Sequence, residues 1–585
     1  MKLINIVSGK EIFLLGMISI FLSIFYFWGI NWGTPNWKKT LQIFETKEEL
    51  EKYVSRMIEL RDRYYTERQK FIEGKYPNTI ETYKKIYGNP NCGYFEKLPE
   101  DTILSCVRNY VIGILSSDEQ HTLMGIRNMN IKKLDFNPDH YIYGGLYFYI
   151  VSVLLILAKV VGFVTFNTNL TYYFFNPEEI NHLYIVQRLL GPLSAIFSIV
   201  VIYFILKNLV SKKILIISLL IIGLNYYFVY YAHLVKPHLL GTLFVTLGIY
   251  YCYKIFQDDS KKYYFYAGLF FGVASSIIYS NLIFFSSVFL IALIQYKKCK
   301  IAKLLLERIC IFFVPFFIAI ILTNYFLITN YSKLINIGIL QGSVVWDNNY
   351  ISFRKGLDFL YKTFSIGYLW LILPGGIIGI VISLKIKEKF MRFLILLFFY
   401  YLLISVFYVR HPGLVPVLLV LLLVFFSIFL DTIVSDRMSF LRVLGKLYVI
   451  IVLLIFLFNS IFMLSLYVRK GNLTLAGKWI NQNVPKYTSI GVPGGWFASD
   501  NFPPFEFLKY NLINIPPDFE IGDDNKLLLP EYLIILEDRK KFFQKSNMAK
   551  YYKEIYSLTR KFLGIKFDKG LVVTENQEII IYKLY

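Results

Sequence analysis

Cysteine is scarce, with 5 in 585 residues. None sits in a CxxC pair or at a metal-ligand spacing, so no zinc module and no disulfide scaffold is encoded. Cys92 and Cys106 share one polar segment, where pairing and two free thiols are both open. Acidic residues are also few, 40 against 62 Lys and Arg, for a net charge of +22. The basic residues form no stripe or arm and are spread along short loops. That pattern excludes nucleic acid as a partner and points to membrane topology and anionic headgroups. Internal repeats and low-complexity tracts are missing. The apolar runs carry their charges only at the ends, whereas transporters show inverted repeats and mid-membrane ionisable residues.

Hydrophobic residues dominate, at 56% of the chain with 18% aromatic and a mean hydropathy of +0.51. Apolar runs of about 17–25 residues recur from residue 11 to 467, each long enough for a hydrocarbon core of roughly 30 Å. A soluble fold is excluded. Residues 1–468 are predicted to be an all-α polytopic membrane domain and residues 469–585 a small α/β domain. Lys2 and Lys10 precede the first run, which lacks a small-x-small cleavage site, so it reads as an uncleaved anchor with a cytoplasmic N-terminus.

Later lysines fix the rest of the topology. The segment 141–166 is long enough to span. If it did, Lys207, Lys212, Lys213 and every later basic loop would face outward. If it lies at the outer surface, the basic loops 207–213, 254–262, 297–303, 385–392 and 435–446 are all cytoplasmic. The second arrangement predicts about eleven spans, starting near residues 11, 184, 214, 238, 263, 281, 305, 366, 391, 413 and 447. It makes 32–182 a large first outer loop with a helical insert at about 45–75. It also puts all six histidines, 121, 140, 182, 233, 238 and 411, on the outer side. In the C-terminal domain, "LAGKWINQNVP" and "RKKFFQKSNMAKYYKEIYSLTRKFL" read as helices. "SIGVP" and "EYLIILE" read as buried strands, and "KGLVVTENQEIIIYKLY" as a closing hairpin.

One polar stretch of the first outer loop stands out: "SSDEQHTLMGIRNM", 116–129. Asp118 and Glu119 open a short helix with apolar positions at Leu123, Met124 and Ile126. Two readings fit. Acids at a helix start are stabilised by free N–H groups and the dipole, so Asp118 caps a surface helix. Alternatively, Asp118 is a general base at the membrane edge, taking a proton from an attacking hydroxyl.

The order of motifs resembles a known family. An apolar first span is followed by "DE" opening a helix, then by "FNPDHYIYGGLYFYIVSVL". The "LYIVQRLLGPLSAIFSIVVIYFILKNLV" block, "GLFFGVASSIIYSNLIFFSSVFLIAL", "YVRHPGLVPVLLVLLLVF" and "AGKWINQNVPKYTSIGV" come next. This is similar to the GT-C fold glycosyltransferases, in the branch of protein O-mannosyltransferases and aminoarabinose transferases. The likeness covers most of the chain except about 39–110.

The resemblance implies transfer of a sugar from a polyprenyl-phosphate carrier to a protein, lipid or glycan hydroxyl on the outer face of the cell membrane, usually with inversion. It implies Asp118 as base with Glu119 beside it. It suggests Arg410, Arg188, Lys236 and His411 near the donor phosphate, and His140, Tyr143 and His121 in the acceptor or sugar pocket. Arg410 and Arg188 have a second reading, as span-end residues that snorkel to the interface. Where the family usually has an acid in its second outer loop, this chain has "HLVKPH". A divalent cation needs oxygen ligands, so no metal and no cofactor are expected. His233 and His238 with an acid could in principle hold zinc, although such histidines are more often plain surface residues. The runner-up readings are a non-enzymatic transporter or scaffold for envelope glycan assembly, and a glycan polymerase or ligase of another membrane fold.

Overall fold

The computed structural model describes residues 8–72, 75, 92–114, 117–295, 302–331, 353–386, 388–404, 406, 411–435, 439–494, 502–521, 528–559, 561–562, 565–566 and 577–585. The first helix, α1 (Gly9–Phe27), is opened by a capping box in which Ser8 and Glu11 satisfy each other's backbone N–H groups. Five helices of the first loop follow: α2 (Trp37–Ile43), α3 (Lys47–Ile72), α4 (Glu100–Ile112), α5 (Ser117–Asn128) and α6 (Gly145–Val160). The expected helical insert is α3. Arg56 holds it to α4 through a two-pronged pair with Asp101, at 2.9 and 2.6 Å.

Among the described residues, six helices are long and apolar enough to cross a membrane: 9–27, 177–206, 238–257, 303–323, 412–434 and 440–483. Two bent pairs bring the number to eight. Residues 212–223 meet 226–232 at 51°, and 354–371 meet 373–385 at 81°. A further kink, at Gly367 and Tyr368, lies inside the first member of the second pair, with both residues at φ of 61°, where only glycine is comfortable. The other three expected spans are the shorter helices 261–277, 279–295 and 389–404. By length and composition alone, six to eight of the expected eleven spans qualify among the described residues. The helix that starts at Val415 is the most enclosed, with nearly every residue buried from Val415 to Ile428.

The segment 141–166 holds a helix of 16 residues, shorter than the helices that qualify as membrane spans. Its helix α6 is followed by α7 (Leu170–Phe175), which packs back on α3 and α4, helices that precede α6 in the chain. Two glycines seat it. A Cβ on Gly144 would lie 1.9 Å from the Ser276 carbonyl oxygen, and one on Gly145 2.2 Å from that of Thr323. Their N–H groups bond to Ile277 O and Asn324 Oδ1 at 3.0 and 2.7 Å. The "YGG" of the motif thus lets α6 start against the ends of two long helices. Val153, Ile156, Leu157 and Val160 on its outer face are exposed, as expected of a helix facing lipid.

The C-terminal domain begins right after the helix that ends at Val468. It is a five-stranded mixed sheet of order β2-β1-β3-β7-β4, built from β1 (Ser489–Pro493), β2 (Asn511–Ile515), β3 (Tyr532–Leu536), β4 (Tyr552–Leu558) and β7 (Ile579–Leu584). A separate ribbon pairs β5 (Lys561–Phe562) with β6 (Ile565–Lys566). "SIGVP" and the core of "EYLIILE" are the strands read from the sequence. The stretch expected to be one long helix is not. It is helical over Glu537–Lys545 and becomes a strand at Tyr552, because alternating Tyr552, Glu554 and Tyr556 pair along β7. The final strand pairs with β3 and β4, so it is not simply one arm of a local hairpin. The other arm lies outside the described residues.

The first loop and this domain form one body. The loop segment at 95–98 runs along the free edge of β2, with Phe95 N–H on Asn514 O at 2.6 Å and Leu98 N–H on Leu512 O at 2.8 Å. Glu45 bridges Lys486 and Lys509 at 2.7 and 2.8 Å. Gln42 donates to the carbonyls of Thr474 and Pro504. The two regions pack directly on each other, so they lie on the same side of any membrane that the long helices cross. Cys92 and Cys106 are both free thiols.

Candidate active site

The acid pair opens α5, and the two acids part company there. The backbone of Asp118 belongs to the first turn of that helix, and its side chain lies outside the described residues. Glu119 points inward and is 0% exposed. Its two oxygens take the Nε and Nη2 groups of Arg188 at 3.0 and 3.2 Å, and its Oε1 also accepts the Val235 N–H at 3.3 Å. Burial lifts the Glu119 carboxyl above its ordinary range, while Arg188 and the Val235 N–H pull the other way.

Arg188 is 0% exposed and heavily committed. Beyond Glu119, its Nη1 donates to Ile30 O at 2.6 Å and Trp32 O at 2.8 Å, and its guanidinium lies 5.0 Å from the Trp32 ring. This corrects two expectations. Arg188 faces the carboxylate and the chain leaving the first span, so it is not placed to bind a donor phosphate. Glu119 is a buried ion-pair partner and does not line an open pocket. A lone buried carboxylate or guanidinium is too costly to leave unpaired, which is why the two meet across 69 residues of sequence.

The pair anchors the "HLVKPH" loop, residues 233–238. Val235 hangs on Glu119. The two ring nitrogens of His233 lie 2.8 Å from Val229 O and 3.0 Å from Trp28 O, and the N–H of the neutral ring donates to one of these carbonyls; the ring stacks on Tyr467 at 3.9 Å. Trp32 Nε1 closes the ring by donating to His233 O at 3.0 Å. Among the described residues no group of three or more His, Cys, Asp or Glu side chains is arranged to hold a metal.

The loop delivers its last residue into an array of rings. His121, one turn beyond Asp118 on α5, stacks on His140 at 5.9 Å. His140 meets Tyr143 at 5.8 Å, Tyr143 meets His238 at 6.3 Å, and His238 meets His411 at 5.5 Å. Tyr231 lies 4.8 Å from His238. His121, His140, Tyr143 and His411 were singled out in the sequence, and the structure brings them together. His238, read there mainly as a surface residue, is the link and is only 3% exposed. His411 accepts the Gly413 N–H on Nδ1 at 3.0 Å, which leaves Nε2 as its proton-bearing nitrogen when neutral. His182 stands apart, against Phe163. Lys236 is half-buried in the same loop, near enough to act electrostatically on both Glu119 and His238. Arg410 lies outside the described residues.

The model of the dolichyl-phosphate-mannose-protein mannosyltransferase family matches residues 150–328. No curated protein matches the chain. Solved structures with some likeness include the Archaeoglobus fulgidus oligosaccharyltransferase tethered to an acceptor peptide, at 10% identity and a TM-score of 0.41 over 73% of this chain. The chain spans 66% of that enzyme's length, just under two thirds. ArnT from Cupriavidus metallidurans in the apo state is 10% identical with a TM-score of 0.39, over 80% of this chain and 93% of the other. Its form bound to undecaprenyl phosphate scores 0.37 at 11% identity, over the same shares of the two chains. Likenesses at these scores carry no weight for function. The family model covers residues 150–328 only, under half of the chain, and over that stretch the chain is similar to the protein mannosyltransferase family, in agreement with the resemblance read from the sequence.

Proposed function

We propose that the chain transfers a sugar from a polyprenyl-phosphate-linked donor to a protein, lipid or glycan hydroxyl at the outer face of the membrane, with Asp118 as general base. The observation that carries the reading is convergence. The helix opened by the acid pair, the "HLVKPH" loop and His411 meet in one histidine-rich array, at the ends of the long apolar helices. The matched family's description supports a lipid-phosphate sugar as donor and a protein as acceptor. Fusion of the first loop with the C-terminal domain supports a common outer side, since the lysine-rich loops are then left on the other face.

Chemically, the acceptor hydroxyl gives its proton to Asp118 as its oxygen bonds the anomeric carbon. The anomeric carbon–oxygen bond breaks, and its electron pair leaves on the carrier phosphate. General-base help of this kind is worth about 10²–10⁴ in rate. Lys236, His411 and Arg410 are suited to stabilise the charge that builds on the phosphate. No metal is part of the reading.

The test is sugar transfer in detergent with purified protein and a set of prenyl-phosphate sugars, wild type against Asp118→Asn. A loss of 10²-fold or more with donor binding and melting behaviour retained is expected. Equal turnover would reduce Asp118 to a helix cap. Absence of turnover with every donor would favour a scaffold.

A further inference from the structure

His238 is the anomaly of the array. It is 3% exposed, yet neither ring nitrogen has a hydrogen-bond partner among the described residues. A buried polar atom without a partner is costly, and this ring carries two. Packing holds it there. Tyr231, Tyr143 and His411 surround the ring, and Gly413 backs against it so closely that a Cβ would lie 2.0 Å from Cε1. His233, five residues earlier, is buried as deeply, but each of its nitrogens lies within 3.0 Å of a carbonyl oxygen, so its N–H has an acceptor in either tautomer. The difference is position. His233 braces the loop, whereas His238 opens the helix His238–Gln257, whose N-terminus has no side-chain cap.

That helix has 20 residues, and its first N–H groups have no partner within the helix. Its amino end carries partial positive charge and suits an anion. An imidazole offers at least one N–H donor in either charge state. Lys236, two residues before it, adds a full positive charge to the same turn.

We infer that His238 and the amino end of the His238–Gln257 helix form the contact for an oxygen of the carrier phosphate. The inference rests on the donor class proposed above. It moves the phosphate contact from Arg188, which is spent on Glu119, to a residue five positions beyond the loop's brace. A bound phosphate oxygen supplies the acceptor that a His238 N–H lacks. It also meets the free N–H groups of the helix start.

Binding separates this inference from the donor class. The detergent-solubilised full chain is titrated with a short-chain prenyl phosphate and with the matching prenyl alcohol, by calorimetry. The variants are His238→Phe, which removes both nitrogens, and His238→Gln, which keeps a donor. The wild type is expected to prefer the phosphate over the alcohol by at least tenfold. His238→Phe should lose most of that preference and keep its affinity for the alcohol, with His238→Gln in between. If the wild type shows no preference, the donor class fails and the inference with it. If the wild type discriminates and the variant that retains alcohol binding discriminates equally well, the donor class stands and His238 is not its phosphate contact.

Discussion

Two buried ionisable groups flank one six-residue loop and are treated in opposite ways. At Val235 the loop hangs on the Glu119–Arg188 pair, whose polar atoms are extensively bonded. At His238 it ends on a ring with neither nitrogen bonded among the described residues. A complete pair fixes geometry and offers little to a ligand. An incomplete group held in place by its neighbours stores an unmet hydrogen bond that a ligand can fill. The loop thus joins a rigid anchor to a reactive end, and their order along it aims Lys236 and His238.

The strongest way to break this contrast is to remove half of the anchor. Arg188→Met leaves a buried carboxylate alone and should cost about 3–5 kcal/mol, measured as unfolding free energy in detergent. The double variant Arg188→Met with Glu119→Leu should recover most of that loss, since an apolar replacement of a buried pair is often neutral. If Arg188→Met instead folds as stably as wild type and loses only donor binding, Arg188 is a phosphate ligand after all and the anchor reading is wrong.

The reactive end is probed from behind. Gly413→Ala inserts a Cβ 2.0–2.5 Å from three atoms of the His238 ring. Overpacking of this kind typically costs about 1–3 kcal/mol. The ring must shift, so Gly413→Ala should raise the donor KM several-fold while melting falls by a few degrees. An unchanged KM with the stability loss present would mean that the position of the ring does not matter to the donor.

The sequence made some of these features legible and hid others, for identifiable reasons. Long apolar helices announce themselves by composition, and the lysine-bearing loops set their order. A surface placement of α6 rests on charge, because a crossing at 141–166 would reverse every later loop. The bends at Leu224–Asn225 and Gly367–Tyr368 left no such mark, since a bent apolar run has the composition of a straight one. The switch from helix to strand at Tyr552 was hidden because its partner, β7, lies at the far end of the domain. The role of Arg188 was misassigned for a similar reason. A span-end arginine looks the same whether it meets water, phosphate or a carboxylate, and only the fold brings Glu119 to it. His238 had a usable signal: a histidine after proline at the start of a long apolar helix, where no side chain caps the free N–H groups.

The smallest expected effect concerns the other contact between regions, the exposed latch at Glu45. Lys486 and then Lys509 hold its carboxyl down at about 2. A carboxylate whose folded-state pKa is depressed contributes stability above its unfolded value, and that contribution is lost as pH falls through the folded value. The window therefore runs from about 4.5 down to about 2. Glu45 is half exposed, so solvent screens the pair, and its contribution should stay below about 1 kcal/mol. The readout is hydrogen exchange at the Phe95 and Leu98 amides, which stitch the first loop to β2. At pH 6, Glu45→Gln should reduce their protection about two- to threefold relative to wild type, and the gap should close near pH 2. Salt should narrow it as well, as it does for exposed pairs. A gap that persists unchanged at pH 2 would mean that the loop is held to the sheet by the backbone bridge alone and that Glu45 is a bystander. The buried anchor at Glu119 would then be the main electrostatic contact holding the site's parts in register.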